Sequence, residues 1–266
     1  MLIKITSSDN KRVKLVKKLA SRRGRSEEGR FTAEGRNMVS GVLERGLDID
    51  FIMIPDSLAA SGSVPGFIED CISSSEITVC EINARDFEKL TDAEYGIDML
   101  AVVRKDEKGE SALDGLAPAD NLLVLDRIQD PGNMGTLIRT AAAAGYKAVL
   151  LMNGTVDIYS PKVLRATAGL IFAVPFIYVA DAAELRRITE KTGKRLAVTV
   201  PEGGKPYFEE DLSEGIALVI GNEGRGICDE IIAMADLAVT LPMKNDVESL
   251  NAGVAAGILM YEAMRK

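Results

Sequence analysis

The sequence has no histidine, and aromatic residues make up only 5% of it. The first absence removes the commonest general base and the commonest transition-metal ligand together, so any chemistry must use other groups. Cysteine is sparse. Cys71, Cys80 and Cys228 are too far apart for a zinc cluster and too few for a secreted disulfide framework, so they read as buried or idle thiols and no metal site is expected. The longest apolar run, Ala166 to Ala180, contains Thr167 and Pro175 and falls short of the roughly 18 residues of a membrane span. No secretory signal opens the chain, since Met1 to Ile5 gives way at once to polar and basic residues. These absences lead us to expect a soluble, cytoplasmic protein with no membrane partner.

What remains is ample for a folded core. The 266 residues, 47% of them hydrophobic, suffice for one large α/β domain or two smaller ones. The net charge of −8 by itself argues against nucleic acid, but it is unevenly spread. Residues 11–25, "KRVKLVKKLASRRGR", hold eight basic side chains and no acidic one. Val13, Val16, Leu19 and Ala20 recur there at helical spacing, predicting an amphipathic helix after Ser8 or Asp9 with a positive outer face. Phosphates are the natural partner of such a face, which makes Lys11, Arg12, Lys14, Lys18, Arg22, Arg23 and Arg25 candidate RNA contacts. A solvated surface helix balanced by acids elsewhere fits the charge pattern equally well.

At residues 104–120, "RKDEKGESALDGLAPAD", charge, Gly, Ser and Pro replace periodic apolar residues, which marks a linker. Before it, "DFIMI" and "EITVCEI" read as strands and Arg36 to Arg45 as a helix, giving a small α/β domain. Beyond it, apolar strands alternate with helices: "NLLVLD", a helix from Met134 to Ala144, "KAVLLM", a short helix from Pro161 to Ala168, "FIYVA", and a helix from Ala182 to Thr192. "RLAVTV", "IALVIG", a short helix near Cys228 to Ala235, "LAVTLP" and a last helix from Ser249 to Met264 follow. Such alternation implies a parallel sheet covered on both faces, with ligands bound beyond the carboxyl ends of its strands. We divide the chain into domains at 1–105 and 120–266, joined by a linker at 106–119.

Three strand-end turns carry unusual residues. In "LDRIQDPGNMGTLIRTAAAAG", residues 125–145, Asn133 and Arg139 can face one crevice, although ordinary turn chemistry also accounts for the stretch. In "LVIGNEGRGI", residues 218–227, the glycines fit neither a phosphate loop, which needs Lys and Ser or Thr after its last Gly, nor the dinucleotide fingerprint. Glu223 among the backbone donors disfavours a phosphate and suits a cationic or polyhydroxyl ligand, or a turn that simply caps itself. In "LPMKNDVESLNAGVAAGILMYEAM", residues 241–264, Ser249 and Asn251 precede a helix whose Ala252, Gly253, Ala255, Ala256 and Gly257 admit close packing of another helix. Ser249 is placed to cap it.

In this order, "NMGTLIRTAAAAG", "GNEGRG" and "PM…SLN" at Pro242, Met243 and Ser249 to Asn251 resemble the SpoU (TrmH) family of RNA ribose 2′-O-methyltransferases in the SPOUT superfamily. "SPKVLRATAGLIFAVP" is similar to the family's segment between the first two motifs, and "FTAEGRNMV" to the L30e-like RNA-binding domain that many members carry in front. Two positions depart from the pattern: Thr167 where Ser is usual and Asn245 where Gly is usual.

The resemblance implies a C-terminal parallel sheet with a deep trefoil knot, a homodimer with the active site at its interface, and S-adenosylmethionine held in the knot. It implies donor contacts at Gly221, Asn222, Leu241, Met243, Leu250 and Thr199. It assigns Arg139 to the 2′-hydroxyl, where we favour a clamp over a base because a guanidinium stays protonated above about pH 12. Asn133, Glu223, Ser249 and Asn251 would complete the catalytic group, and Arg36 would join the RNA contacts. The resemblance favours ribosomal RNA, 23S in particular, over transfer RNA by analogy of architecture; a transfer-RNA ribose methyltransferase and a non-catalytic RNA-binding protein are the alternatives. A nucleotide hydrolase would lack the lysine and hydroxyl already noted.

Overall fold

The structure is a computed structural model that describes residues 1–91, 96–105, 109–167, 169–245 and 247–265. The expected linker residues 106–108 and the expected helix end at Ala168 lie outside the described residues. The chain forms two compact units, Met1–Asp106 with Asp157–Phe172 and Glu107–Val156 with Ala173–Lys266.

The first unit holds strands β1 (Leu2–Ile5), β2 (Arg30–Glu34), β3 (Ile49–Pro55), β4 (Val79–Ile82) and β5 (Leu100–Arg104), in the order β1-β4-β3-β5-β2. β5 runs antiparallel to both its neighbours, and β1, β4 and β3 are parallel. The basic run makes two helices, α1 (Lys11–Leu19) and α2 (Arg22–Glu28), where one was expected. Asn10 caps the first by accepting from the Arg12 N–H, and Ser21 caps the second by accepting from the Gly24 N–H. Val13, Val16 and Leu19 are buried with Phe51, Met53 and Leu100, as their spacing requires, whereas Ala20 is exposed where the helix breaks. Gly24 makes the helix pair possible: a Cβ there would lie 1.9 Å from the Lys18 carbonyl oxygen. The remaining helices of this part are α3 (Arg36–Glu44), α4 (Asp56–Ala60), α5 (Gly66–Ser74) and α6 (Ala84–Glu88).

The second unit is built on seven parallel strands: β6 (Leu122–Asp126), β7 (Ala148–Met152), β8 (Phe176–Val179), β9 (Arg195–Thr199), β10 (Lys205–Pro206), β11 (Ile216–Gly221) and β12 (Leu237–Thr240). Their order is β10-β12-β9-β11-β6-β7-β8. β6 and β7 are buried at every position, which is why they read as unbroken apolar runs. The chain lays β7 and β8 on one side of β6 and then returns to its other side for β9 and β11. The reversal leaves a crevice beyond the carboxyl ends of β6 and β11, where an open α/β sheet takes its ligand.

The later helices are α7 (Pro131–Ala143), α8 (Pro161–Ala166), α9 (Ala182–Thr192), α10 (Asp229–Ala233) and α11 (Ala252–Glu262). The small residues at the start of α11 face α7 within the chain: a Cβ on Gly253 would sit 2.9 Å from Thr136 Cγ2. α8 lies in residues 157–172, which pack within the first unit. There Tyr159 stacks on Phe31 with centroids 4.7 Å apart, and Asp157 pairs with Arg25. Among the described residues, no helix is long and apolar enough to cross a membrane, and no cluster of side chains could hold a metal ion.

Candidate active site

The ends of β6 and β11 each contribute a loop whose conformation its own residues fix. After β6, Arg127 takes a left-handed backbone with φ 57°. Asp130 then caps α7, its Oδ1 accepting from the Asn133 N–H at 2.7 Å, and Pro131 occupies the first helical position, where a missing N–H costs nothing. The helix thus begins three residues before the expected Met134, which puts Asn133 inside its first turn and buries it.

After β11 the Gly-rich turn closes on itself. Asn222 and Gly226 exchange backbone hydrogen bonds at 3.1 and 2.9 Å, and Asn222 Oδ1 accepts from the N–H groups of Gly224 and Arg225, both at 3.0 Å. Gly221 has no room for a side chain, because a Cβ would lie 2.4 Å from Gly226 C and Ile227 N. Asn222 Nδ2 donates to the Arg127 carbonyl at 2.7 Å, so this side chain is spent on holding the two loops together.

The turn aims Glu223 back at the first loop. Its Oε1 accepts from the Asp130 N–H at 3.0 Å and from Asn133 Nδ2 at 3.1 Å, and its Oε2 accepts from the Gln129 N–H at 3.1 Å. Burial pushes the Glu223 carboxyl upward, but the Asn133 amide, its own N–H and those of Asp130 and Gln129 outweigh it and hold the group below the usual glutamate value. The other end of Asn133 is also fixed, since its Oδ1 accepts from Asn251 Nδ2 at 2.7 Å. Asn251 in turn caps α11, its Oδ1 accepting from Gly253 N–H at 2.9 Å and Val254 N–H at 3.3 Å. Three segments distant in sequence therefore converge on one amide.

Asn133, Glu223 and Asn251 are brought together as the motifs suggested, and two other expected members are not. Arg139 is exposed on α7 and has no hydrogen-bond or ion-pair partner among the described residues. Six positions along a helix rotate a side chain well away from Asn133, so Glu223 holds Asn133 and leaves Arg139 untouched. Ser249 does not cap the last helix, because α11 starts at Ala252 and Asn251 takes the cap; Ser249 is exposed in the preceding loop.

The segment between β12 and α11 has a different character. The main-chain groups of Met243, Ser249 and Leu250 find no partner among the described residues, and Met243 and Leu250 expose their side chains. Asn245 adopts φ 58°, a left-handed conformation that explains why glycine suits this position and why asparagine replaces it tolerably. Thr199, half-buried at the end of β9, donates to the Val219 carbonyl at 3.2 Å.

Residues without a motif also build the site. Asp126, buried at the end of β6, accepts from Arg127 Nε at 2.9 Å, Arg127 Nη2 at 3.0 Å and the Cys228 N–H at 2.8 Å. That hydrogen-bonded carboxylate raises the affinity of the Arg127 guanidinium for its proton against the opposing effect of burial. The pair clamps the β6 and β11 loops. Only the Asp130-Pro131 step carried a sequence signal for this frame, that of a helix cap followed by proline. Between these loops lies a groove of about 750 Å³.

The basic helices of the first unit are less available than their charge suggests. Arg25 is 4% exposed and holds Asp157 while donating to the Leu19 and Ala20 carbonyls at 2.8 and 3.0 Å, so it does not face RNA. Lys14 pairs with Asp9, Lys18 with Glu27 and Glu28, Arg23 with Glu27 and Arg36 with Asp98. Arg12 lies over the Phe51 ring at 5.6 Å. Lys11, Arg22 and Lys17, the last not among the candidates, are exposed without hydrogen-bond or ion-pair partners among the described residues.

Residues 120–261 match the profile of the SpoU rRNA Methylase family, and residues 10–101 match the MRM3-like substrate binding domain. The chain is 33% identical over 258 residues to the 23S rRNA (guanosine(2553)-2′-O)-methyltransferase RlmP of Bacillus subtilis, covering 97% of each chain. It is similar in structure to an AdoMet-bound rRNA methyltransferase from Sinorhizobium meliloti, with a TM-score of 0.85 and 27% identity over 99% of this chain and 98% of that one. The SpoU methyltransferase AviRb from Streptomyces viridochromogenes, in complex with AdoMet, shares the fold with a TM-score of 0.87 and 24% identity over 96% and 97% of the two chains.

Proposed function

The chain belongs to the SpoU rRNA methylase family, and on that premise we propose that it methylates a ribose 2′-hydroxyl in 23S ribosomal RNA, with S-adenosylmethionine as the methyl donor. The observation that carries this reading is the Glu223–Asn133–Asn251 relay beside a loop in which the main-chain groups of Met243, Ser249 and Leu250 have no partner among the described residues. The donor is recognised through main-chain hydrogen bonds in this reading, and the main-chain groups of Met243, Ser249 and Leu250 are chemically suited to it, together with the strand ends at Thr199, Gly221 and Leu241. Asn222 contributes by shaping the turn rather than by direct contact. When bound, the donor supplies a methyl group on a cationic sulfur, which an oxygen nucleophile attacks in line.

The protein's task is then alignment. A carboxylate can only accept, so Glu223 forces the Asn133 amide to present Nδ2 to it and Oδ1 to Asn251. The amide is locked in one orientation, and Ser249 stands in the adjoining loop to complete the pocket. Arg139, whose side chain has no hydrogen-bond or ion-pair partner among the described residues, holds the target hydroxyl or a neighbouring phosphate. The hydroxyl becomes acidic as the new C–O bond forms and the C–S bond breaks, and its proton passes to solvent, so holding the oxygen in line supplies the larger share of rate.

We further propose a homodimer through the second unit. Val254, Ile258 and Tyr261 recur at helical spacing on the outward face of α11, all exposed, and Val247 and Leu250 in the loop before it are exposed as well. The SPOUT trefoil knot belongs to this proposal, as do the division into an L30e-like RNA-binding domain (1–105), a linker (106–119) and a methyltransferase domain (120–266), and action in the cytoplasm. Lys11, Lys17 and Arg22 carry the RNA-binding role most directly, with the ion-paired Lys14, Lys18, Arg23 and Arg36 beside them. The test is incubation with 23S rRNA and labelled S-adenosylmethionine, followed by mapping of alkali-resistant ribose positions. One methylated site in 23S rRNA is expected; methylation of transfer RNA alone, or of no RNA, would reject the reading.

A further inference from the structure

The groove between the ends of β6, β7 and β11 is lined by Arg127, Gln129, Asp130, Gly154, Glu223 and Arg225. Its volume of about 750 Å³ is that of a site for a nucleotide-sized ligand. Its carboxylates are engaged: Glu223 accepts from Asn133 and two backbone N–H groups, Asp130 caps α7, and the neighbouring Asp126 is satisfied by Arg127 and Cys228. The Arg225 guanidinium, by contrast, is exposed and has no hydrogen-bond or ion-pair partner among the described residues. Among the described lining residues, Arg225 is thus a cation at the rim whose guanidinium is not engaged, whereas Arg127 is held by Asp126.

The lining around Arg127 is fixed in place. Arg127 keeps a left-handed backbone that an arginine adopts only at a cost, and Asp126 and the Gly226 carbonyl fix its side chain across the loops. Gly154, at φ +91°, lets that side chain lie close: a Cβ there would be 3.3 Å from Arg127 Cγ. Gln129 Nε2 donates to the Gly154 carbonyl, tying the β7 loop to the β6 loop.

We propose that this groove receives the RNA strand beside the target ribose, with the Arg225 guanidinium on a flanking phosphodiester; the proposal rests on the methyltransferase reading above. Arg225 is thus a substrate-binding residue, and Arg127 with Asp126 positions the wall. The test compares wild type, Arg225→Ala and Arg225→Lys in steady-state methylation of a 23S rRNA transcript, with calorimetric titration of S-adenosylmethionine alone. Arg225→Ala should raise the KM for RNA about tenfold with kcat within about twofold, and lower the salt dependence of RNA binding by about one phosphate contact. Arg225→Lys should restore most of the affinity, because a point charge suffices for one phosphate. Donor affinity should not change. Unaltered KM and salt dependence in Arg225→Ala, with an active wild type, overturns the inference alone, as does an equal loss of donor binding. A wild type that methylates no RNA removes the methyltransferase reading and this inference with it.

Discussion

Asn251 Nδ2 donates to Asn133 Oδ1 at 2.7 Å, joining two residues 118 positions apart. The same Asn251 side chain caps α11 through its oxygen, so one residue performs two separable tasks. Replacement by aspartate keeps the cap and removes the donor. Asn251→Asp should therefore lose about 1–3 kcal/mol because its carboxylate meets the buried Asn133 oxygen, while Asn251→Ala loses about 0.5–2 kcal/mol with the cap and leaves that oxygen unpaired. Methylation should fall about tenfold or more in both, because the Asn133 amide is no longer locked. Thermal unfolding beside initial rates checks this, and an active Asn251→Asp would show that the relay is dispensable.

Glu223 gives a prediction in pH. Its folded carboxyl titrates below the usual 4.5, held there by its donors against burial. A depressed folded value means that its contribution to stability is fully present above about pH 4.5 and is lost as pH falls through the lower folded value. Glu223→Gln removes this dependence. Urea unfolding between pH 3 and 6 should show the wild type losing more stability on acidification than the variant, roughly in step with one proton taken up. Parallel curves would mean that the carboxylate is not held as described.

Much of this architecture is legible in residue order, and the reasons for what is hidden are specific. The continuous apolar strands announce a parallel sheet because both of its faces are covered, and the helix from Ala182 to Thr192 falls where its spacing and closing glycine place it. The motif residues Asn133, Glu223 and Asn251 converge as expected. Their frame does not announce itself: Asp126 ends an apolar strand and Arg127 precedes an ordinary loop, so nothing in periodicity reveals a buried clamp. Charge counting also misreads position. Eight basic residues between positions 11 and 25 look like one positive face, but Gly24 folds the run back on itself and turns Arg25 inward.

That inward turn has an energetic consequence. Arg25 and Asp157 are 4% and 10% exposed and meet at 2.7 Å. Removing one partner strands a buried charge, so Arg25→Ala should cost about 3–5 kcal/mol in chemical unfolding. Arg22→Ala, at an exposed site, should stay within about 0.5 kcal/mol of wild type and instead weaken binding to 23S rRNA. The two arginines exchange roles if Arg25→Ala proves stable and RNA binding drops.

The exposed stripe on α11 predicts an oligomeric state. Val254 and Tyr261 are each 52% exposed and lie with Ile258 on one side of the helix, away from the small residues that meet α7. Ile258→Glu places a charge in the centre of this stripe without disturbing the chain's own core. Light scattering should give a dimer for wild type and a monomer for the variant at micromolar concentration, and the monomer should lose methylation. A dimer that survives the substitution moves the interface elsewhere.

Arg139 joins these lines of argument. Its exposed side chain makes no hydrogen bond or ion pair among the described residues, so its removal should leave stability within about 0.5 kcal/mol of wild type. An exposed arginine without internal work is explained if it acts on the substrate, and Arg139→Ala should then lower methylation by about a hundredfold or more, with donor binding largely kept. Lysine retains the charge and loses the planar fork, so Arg139→Lys discriminates between its two tasks. Recovery of much of the rate by lysine indicates a phosphate clamp, whereas a rate as low as that of alanine indicates bidentate hold on the reacting hydroxyl. Loss of donor affinity together with rate in Arg139→Ala would assign the residue to the fold of the site and remove it from the reaction.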